Sequence, residues 1–431
     1  TTCCTTLNRV AERGAAEPGP VLWNMRVVVS CCIGVFSHSV SATVVSAANS
    51  PSNVINDAWA TVCGNDLGAD LRARCDENNL GGLLGTIPAN GGAAAGGGSN
   101  GGISSGMGNS TVMSDQYNKK SLEERKRKLK DKGEGAAGDI LSGERLGFFA
   151  SGTQTEIDRK DTTLETGYDS DVLGFTAGMD YIFSEKFVSG IAVSYSDTDL
   201  DYNSNAGSSD YESVSVLAYA NYNVNDNFSV DGYLGWTGID FDLTRNISYA
   251  ASAGSTAGPV NTSTSADVDA NKVLAGLNLA YSLSFDALNI QPMLKLDYSG
   301  TFIDSYAETG GIGLALKYKS QDIQSFKSNL GFNATYAVSV PWGVVLPRIQ
   351  AGYVHEFLNH SRTVHASYVQ DTGNFDLQFQ TDQPDRDYFV IGGGLSTVLT
   401  HSAQLFVNYE RIEGHRYMNS YTVSGGVRVG F

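Results

Sequence analysis

The stretch "LGFTAGMDYIFSEKFVSGIAVSYSDTD", residues 173–199, decides the fold. Phe175, Ala177, Met179, Tyr181 and Phe183 take alternate positions, with Thr176, Gly178 and Asp180 between them. Successive side chains of an extended strand point to opposite faces, so this segment has one apolar and one polar face. Ser184-Glu185-Lys186 is a short polar turn, and Phe187 opens a second strand. In that strand Ile191, Val193 and Tyr195 alternate with Gly190, Ala192 and Ser194.

The same strand–turn–strand unit recurs along the chain. It returns as 214–224, the turn "NDN", and 228–236; as 273–283, a turn near Asp286, and 290–298; as 326–338, a turn around Pro341-Trp342, and 345–353; and as 389–399, the turn "THSA", and 405–409. An opening strand near 146–152 and a closing strand over 421–431, "YTVSGGVRVGF", complete a set of twelve. Between the hairpins, 197–212 and 242–269 read as long polar connections. Short turns at one end, long connections at the other and an even strand count form the pattern of a transmembrane barrel. A soluble sandwich alternates too, but it buries its apolar face and has shorter loops.

The polar face decides between them. It carries Asp180, Asp231, Lys272, Lys295, Asp297, Lys327, Arg348, Glu356, Glu410 and Arg428. A dry core could not hold so many charged groups unpaired, whereas a wet lumen can. The expected fold is therefore an all-β membrane protein, a 12-stranded antiparallel up-and-down transmembrane β-barrel. The last strand, apolar on one face and ending at Phe431, would be an aggregation hazard as a free edge in water and is safe when it closes such a barrel.

Composition agrees. No run in the 431 residues reaches the ~18 apolar residues of a membrane helix, the best being "VVVSCCIGVF" at 27–36. Tyr (21), Phe (18) and Gly (49) are plentiful and Pro (9) is scarce, which favours strands. A formal net charge of −17 argues against a nucleic-acid partner. Residues 25–42, "MRVVVSCCIGVFSHSVSA", read as a signal peptide with its basic Arg26, apolar centre and small residues before the cut; the alternative is a short buried strand. On the first reading the start is Met25, residues 1–24 lie upstream, and cleavage after Ala42 leaves Cys63 and Cys75. Twelve residues apart in an exported segment, they are expected to form a disulfide. Residues 91–112 are a Gly/Ser linker, and "DQYNKKSLEERKRKLKDK" (115–132) is rich in helix formers.

Residues 173–199, "DNFSVDGYLGW" (226–236), "PWGVVLPRIQAGYVHEF" (341–357), "TDQPDRDYFVIGGGLS" (381–396) and the terminal Phe431 together resemble the C-terminal translocator of autotransporters, the type V secretion proteins of Gram-negative bacteria. The resemblance covers roughly 145–431 and implies a twelve-stranded barrel, a helix threading its pore, and an upstream passenger displayed or released outside. It also makes Phe431 an assembly signal. The expected organisation is 1–42 upstream residues and signal peptide, 43–112 a short passenger remnant and linker, 113–144 a basic helix threading the barrel, and 145–431 the barrel. The helix would place Arg125, Lys126, Arg127 and Lys128 in the lumen, opposite carboxylates such as Asp231, Glu356 and Glu410. A solvated helix beyond the barrel is the alternative.

The expected function is that of an outer-membrane translocator with a very short passenger. The competing readings are a porin-like channel with an N-terminal plug and an adhesin acting through its outer loops. No enzyme is expected. The chain lacks Gly-x-Ser-x-Gly, "GDIL" (138–141) has no nucleophile, and the Gly-rich run lacks the Lys-Ser/Thr of a phosphate loop. The six His show no metal spacing, and no cofactor is expected. Expected partners are outer-membrane lipid, the Sec translocon and the barrel-assembly machinery, with the protein a monomer in the outer membrane and its passenger outside.

Overall fold

Period-2 alternation sustained over ten or more residues calls for long strands, and twelve of them form one closed sheet. The computed structural model describes residues 51–76 and 145–430, apart from 185, 250–259 and 400–402. The barrel strands are β1 (Leu146–Arg159), β2 (Tyr168–Ile182), β3 (Phe187–Tyr202), β4 (Gly207–Asn223), β5 (Phe228–Tyr249), β6 (Val260–Tyr281), β7 (Leu288–Ile303), β8 (Gln321–Tyr336), β9 (Gly343–Glu356), β10 (Asp387–Leu399), β11 (Ala403–Glu413) and β12 (Met418–Gly430). Each pairs antiparallel with its neighbours, and β1 closes on β12 in a register running from Gly147↔Gly430 to Arg159↔Met418. Closure leaves no edge to template aggregation.

The outward face between the barrel's ends is apolar and open. Leu234, Leu330 and Ile349 are 68, 64 and 61 % exposed, too much apolar surface for water and the right surface for lipid. Aromatic rings border this band. Tyr181, Phe183 and Phe187 cluster at the short-turn end, and Tyr409 and Tyr421 lie 6.3 Å apart at the other border. Among the described residues no helix is long and apolar enough to cross a membrane; strands do the crossing.

The structure corrects the reading of 197–212 and 242–269 as loops. β3 runs to Tyr202 and β4 begins at Gly207, so the first is strand but for a tight turn. Its central residues Ser204 and Asn205 have φ of 59° and 58°, the left-handed geometry that matches hairpin twist. The second continues β5 to Tyr249 and resumes at Val260. These segments look polar because their alternation inverts beyond the apolar band. Leu200, Tyr202, Tyr211, Ile239, Phe241 and Val268 now point inward and pack into one core, while the outward positions are acidic. Carboxylates face one another directly across strands, as Asp169↔Asp201, Asp171↔Asp199, Asp210↔Asp242, Glu212↔Asp240 and Asp240↔Asp269. Partial burial, and then Asp199 beside it, push the Asp210 carboxyl up. Such like-charge pairs oppose sheet formation, so the inward apolar core must hold these extensions together.

Two connections at the long-loop end, 304–320 and 357–386, build a second sheet from Tyr306–Ala307, Leu316–Tyr318, Thr363–Tyr368 and Leu377–Gln380. Against it pack α1 (Pro51–Gly64) and α2 (Ala69–Asp76), joined by a Cys63–Cys75 disulfide with Cα atoms 5.6 Å apart. Proline suits the first turn of α1. Val54, Ile55, Ala58, Trp59 and Val62 form its apolar stripe. α2, with eight residues, is too short to be stable alone.

Candidate functional site

The site of a barrel is its lumen and its mouths. The inward charged residues are positioned by strand parity, and the wall pairs most of them. Asp180 on β2 and Arg428 on β12 reach across β1, with Arg428 Nη2 2.6 Å from Asp180 Oδ1. Gly147 leaves the room, since a Cβ there would stand 2.8 Å from that oxygen and 3.2 Å from Arg428 Nη2. The Tyr219 hydroxyl donates to the other Asp180 oxygen at 3.4 Å. This group ties the last strand to the first two across the closing seam.

Asp231 accepts from Asn278 Nδ2 at 2.8 Å and from Asn221. Asp297 accepts the Tyr233 hydroxyl at 2.7 Å, and Glu410 accepts from Gln350 Nε2 at 2.6 Å. Glu356 accepts the backbone N–H groups of Phe326 and Leu358, each at 2.9 Å, and the Ser325 hydroxyl. Arg348 donates to Asn408 Oδ1 at 2.8 Å. Lys295 lies on the same face, in register with Asn278 and Asn329, and Lys327 sits in register between Asp297 and Glu356. Lys272 is buried on the inward face of β6. Asp231, Glu356 and Glu410, expected to meet the cations of 113–144, thus each have a wall partner. Arg125, Lys126, Arg127, Lys128 and Phe431, the residue expected to be an assembly signal, lie outside the described residues.

Sequence reasoning missed the aromatic–glycine joints of the wall. Phe149, Tyr219 and Tyr233 are register partners of Gly178, Gly190 and Gly276 and lie over them. A Cβ at Gly276 would come within 2.0 Å of the Tyr233 ring, and one at Gly190 within 2.5 Å of the Tyr219 ring. The signal was an inward glycine opposite an inward aromatic, visible only once the register is known.

At the long-loop mouth, Arg159 at the end of β1 pairs with Glu165 and lies 3.0 Å from Asp382 Oδ2. The guanidinium sits between the rings of Tyr168 and Tyr417, about equally far from both, at 6.0 and 5.9 Å. Thr162 donates to Asp382 at 2.7 Å, and the Arg416 backbone N–H donates to Asp385 Oδ2. Burial, and then the Glu165 carboxylate, push the Asp382 carboxyl from its ordinary 3.8 up to about 6, against the pull of Thr162 and Arg159. A carboxyl whose folded pKa is raised contributes stability in full below its unfolded pKa and loses it as pH rises through the folded one. The anchorage of this loop should therefore weaken between about pH 4 and pH 6. Hydrogen exchange over 381–386, corrected for intrinsic rates, should be roughly tenfold faster at pH 7.5 than at pH 5. Asp382→Asn should abolish that step; an identical pH response in the variant would refute the assignment.

Among the described residues no three His, Cys, Asp or Glu side chains group to hold a metal ion. A sequence model of the autotransporter beta-domain family matches residues 148–410. Among curated proteins, outer membrane protein A of Rickettsia conorii is 24 % identical over 304 residues, covering 69 % of this chain and 14 % of that protein. This chain therefore spans 14 % of the length of the curated relative it matches. Among solved structures, the translocator domain of autotransporter NalP from Neisseria meningitidis is similar in fold, with a TM-score of 0.51 and 15 % identity over 74 % of this chain and 99 % of that one. The beta domain of the Bordetella autotransporter BrkA is matched with a TM-score of 0.49 and 17 % identity, over 67 % of this chain and 100 % of that one.

Proposed function

Because this chain belongs to the autotransporter beta-domain family, we propose that it is an outer-membrane translocator that carries its N-terminal segment to the cell surface. Barrels of this family are outer-membrane proteins of Gram-negative bacteria, and on this reading the long-loop end faces outward.

The observation that carries the reading is topological. Ile182 N–H donates to Arg145 O at 2.8 Å, so β1 starts at the short-turn end. The other flank, α2, is seated on the long-loop connections, with Gly68 N–H donating to Gln370 O at 2.9 Å. Residues 77–144 thus join opposite mouths. A route through lipid would drag the lysines and arginines of 119–132 across hydrocarbon at high cost. The lumen, lined by hydrogen-bonding side chains, supplies the route, and the basic helix at 113–144 is its natural occupant. Lipid surrounds the apolar band, the Sec translocon and the barrel-assembly machinery deliver the chain, and the barrel works as a monomer without nucleic acid and without catalysis.

An epitope inserted at residue 50 tests this. Antibody should bind it on intact cells. Binding only after the outer membrane is permeabilised would refute the outward orientation.

A further inference from the structure

We propose that the connections 304–320 and 357–386 form a receptor for the disulfide-closed helical pair 51–76, and that the pair stays bound there when the chain is cut behind it. The pair is then a resident part of the barrel's long-loop end and not free cargo. The docking is read from the packing alone; only its placement outside the cell rests on the translocator reading.

Three observations carry it. The first is the shared core. Ile55, Val62 and Leu71 are at most 1 % exposed, in one core with Leu316, Val364, Leu377 and Phe379 of the connections and with Ile247, Tyr249 and Val260 where β5 ends and β6 begins. Trp59 meets Tyr368 edge-on at 5.8 Å. Neither partner could leave without baring a continuous apolar surface.

The second is polar complementarity along α2. Its first turn has orphan N–H groups, and Gly68 before it has no side chain to cap them. Gln370, some 300 positions later, supplies the missing acceptor: its Oε1 takes the Leu71 N–H at 2.9 Å, and its Nε2 donates to Asp70 Oδ2 at 3.1 Å. Asn65 Nδ2 donates to Asp371 Oδ1 at 3.0 Å, the Thr372 hydroxyl donates to Asp66 O at 2.7 Å, and Leu67 and Asp371 form a β-bridge.

The third is a seat shaped for this backbone. Gly313 has φ +95°, and a Cβ there would stand 2.5 Å from Leu71 N and 2.6 Å from Asp70 C. The connection approaches α2 as closely as only glycine allows.

The disulfide makes the binding redox-dependent. Arg72 bridges the two helices by donating to Cys63 O at 3.1 Å and Asn65 O at 2.7 Å, but away from the receptor eight residues of α2 hold no helix without the Cys63–Cys75 closure. Reduction frees the pair to unfold, and the surface that fits the receptor is lost.

The test uses the full chain folded in detergent, with a protease site inserted between Leu80 and Gly81. Cutting there leaves a fragment whose only described contact with the barrel is the docked pair. Under oxidising conditions the fragment should co-elute with the barrel in size exclusion. Reductant, or the Cys63→Ser/Cys75→Ser double variant, should release it. Val62→Asp on the pair and Phe379→Asp on the receptor should each lower retention by about tenfold or more, since a carboxylate cannot be buried in this core without a partner. Heat-modifiable gel migration of the same samples reports separately that the barrel is folded. Separate elution of the cut, oxidised wild-type fragment overturns the proposal. So does undiminished retention of both aspartate variants. Because the assay uses purified protein, a failure of surface display in cells leaves its outcome unchanged.

Discussion

Arg428→Ala should destabilise the folded barrel by about 3–5 kcal/mol, measured by urea unfolding in detergent. An arginine on the wall of a water-filled pore would matter far less, with about 0–1 kcal/mol expected for an exposed pair. Its environment decides the magnitude. The Arg428 and Asp180 side chains are 8 % and 1 % exposed, and their 2.6 Å contact spans the seam where β12 meets β1. Truncating the arginine leaves Asp180 buried with only the 3.4 Å contact from the Tyr219 hydroxyl in its place. The loss also falls on the one strand pairing that local sequence does not favour, since β1 and β12 are the two strands farthest apart in the chain. Arg428→Ala/Asp180→Ala should be less damaging than Arg428→Ala alone, because it removes the stranded charge with its partner. Equal stability of wild type and Arg428→Ala would show that water screens the pair and the seam is wet.

The barrel was legible in the sequence because a membrane strand shows its environment at every second residue. Met179, Tyr181, Asp180 and Gly178 could be sorted to two faces from their order alone. What faced what could not be. Asp180 and Arg428 are nearly 250 positions apart, and their meeting depends on register and on an intervening glycine at 147. The strand extensions were misread for a related reason. Asp199, Asp201, Asp240, Asp242 and Asp269 made those stretches look like loops, although Leu200, Phe241 and Val268 kept the alternation with the faces exchanged. The rule "apolar outward" holds only where lipid is outside, and the strands outlast the bilayer. The N-terminal pair was the least legible. The two cysteines marked a staple, but the surface that receives it is assembled from residues near 316, 366 and 379, which carry no mutual signal in the chain.

Glu308→Ala should undo that receptor while leaving the barrel folded. Glu308 lies in the 304–320 connection and grips Arg245 on the extension of β5, with Arg245 Nε 2.8 Å from Oε1 and Nη2 bonded to Oε2. Both side chains are 7 % exposed. Oε2 also accepts the Leu316 N–H at 2.9 Å, and Arg245 donates to Leu314 O at 3.0 Å, so one ion pair fixes the backbone of the connection at two points. Burial works against a charge on Arg245, yet Glu308 beside it, together with Tyr318 and Tyr368, holds the guanidinium above its usual pKa. The cation therefore persists at any working pH, and removing its carboxylate strands it. The expected cost is about 3–5 kcal/mol, drawn from the anchorage of 304–320 and not from the membrane strands. Since Leu314, Leu316 and Tyr318 supply one wall of the core beneath α1 and α2, that loss passes directly to the helical pair. Hydrogen exchange should accelerate together over 306–318 and 53–75, while heat-modifiable migration stays as in wild type. Arg245→Met/Glu308→Leu, which replaces the pair with apolar bulk, should recover much of the protection. Unchanged exchange in Glu308→Ala would mean the core holds the connection without its ion pair, and the pair would then be a consequence of the docking and not its support.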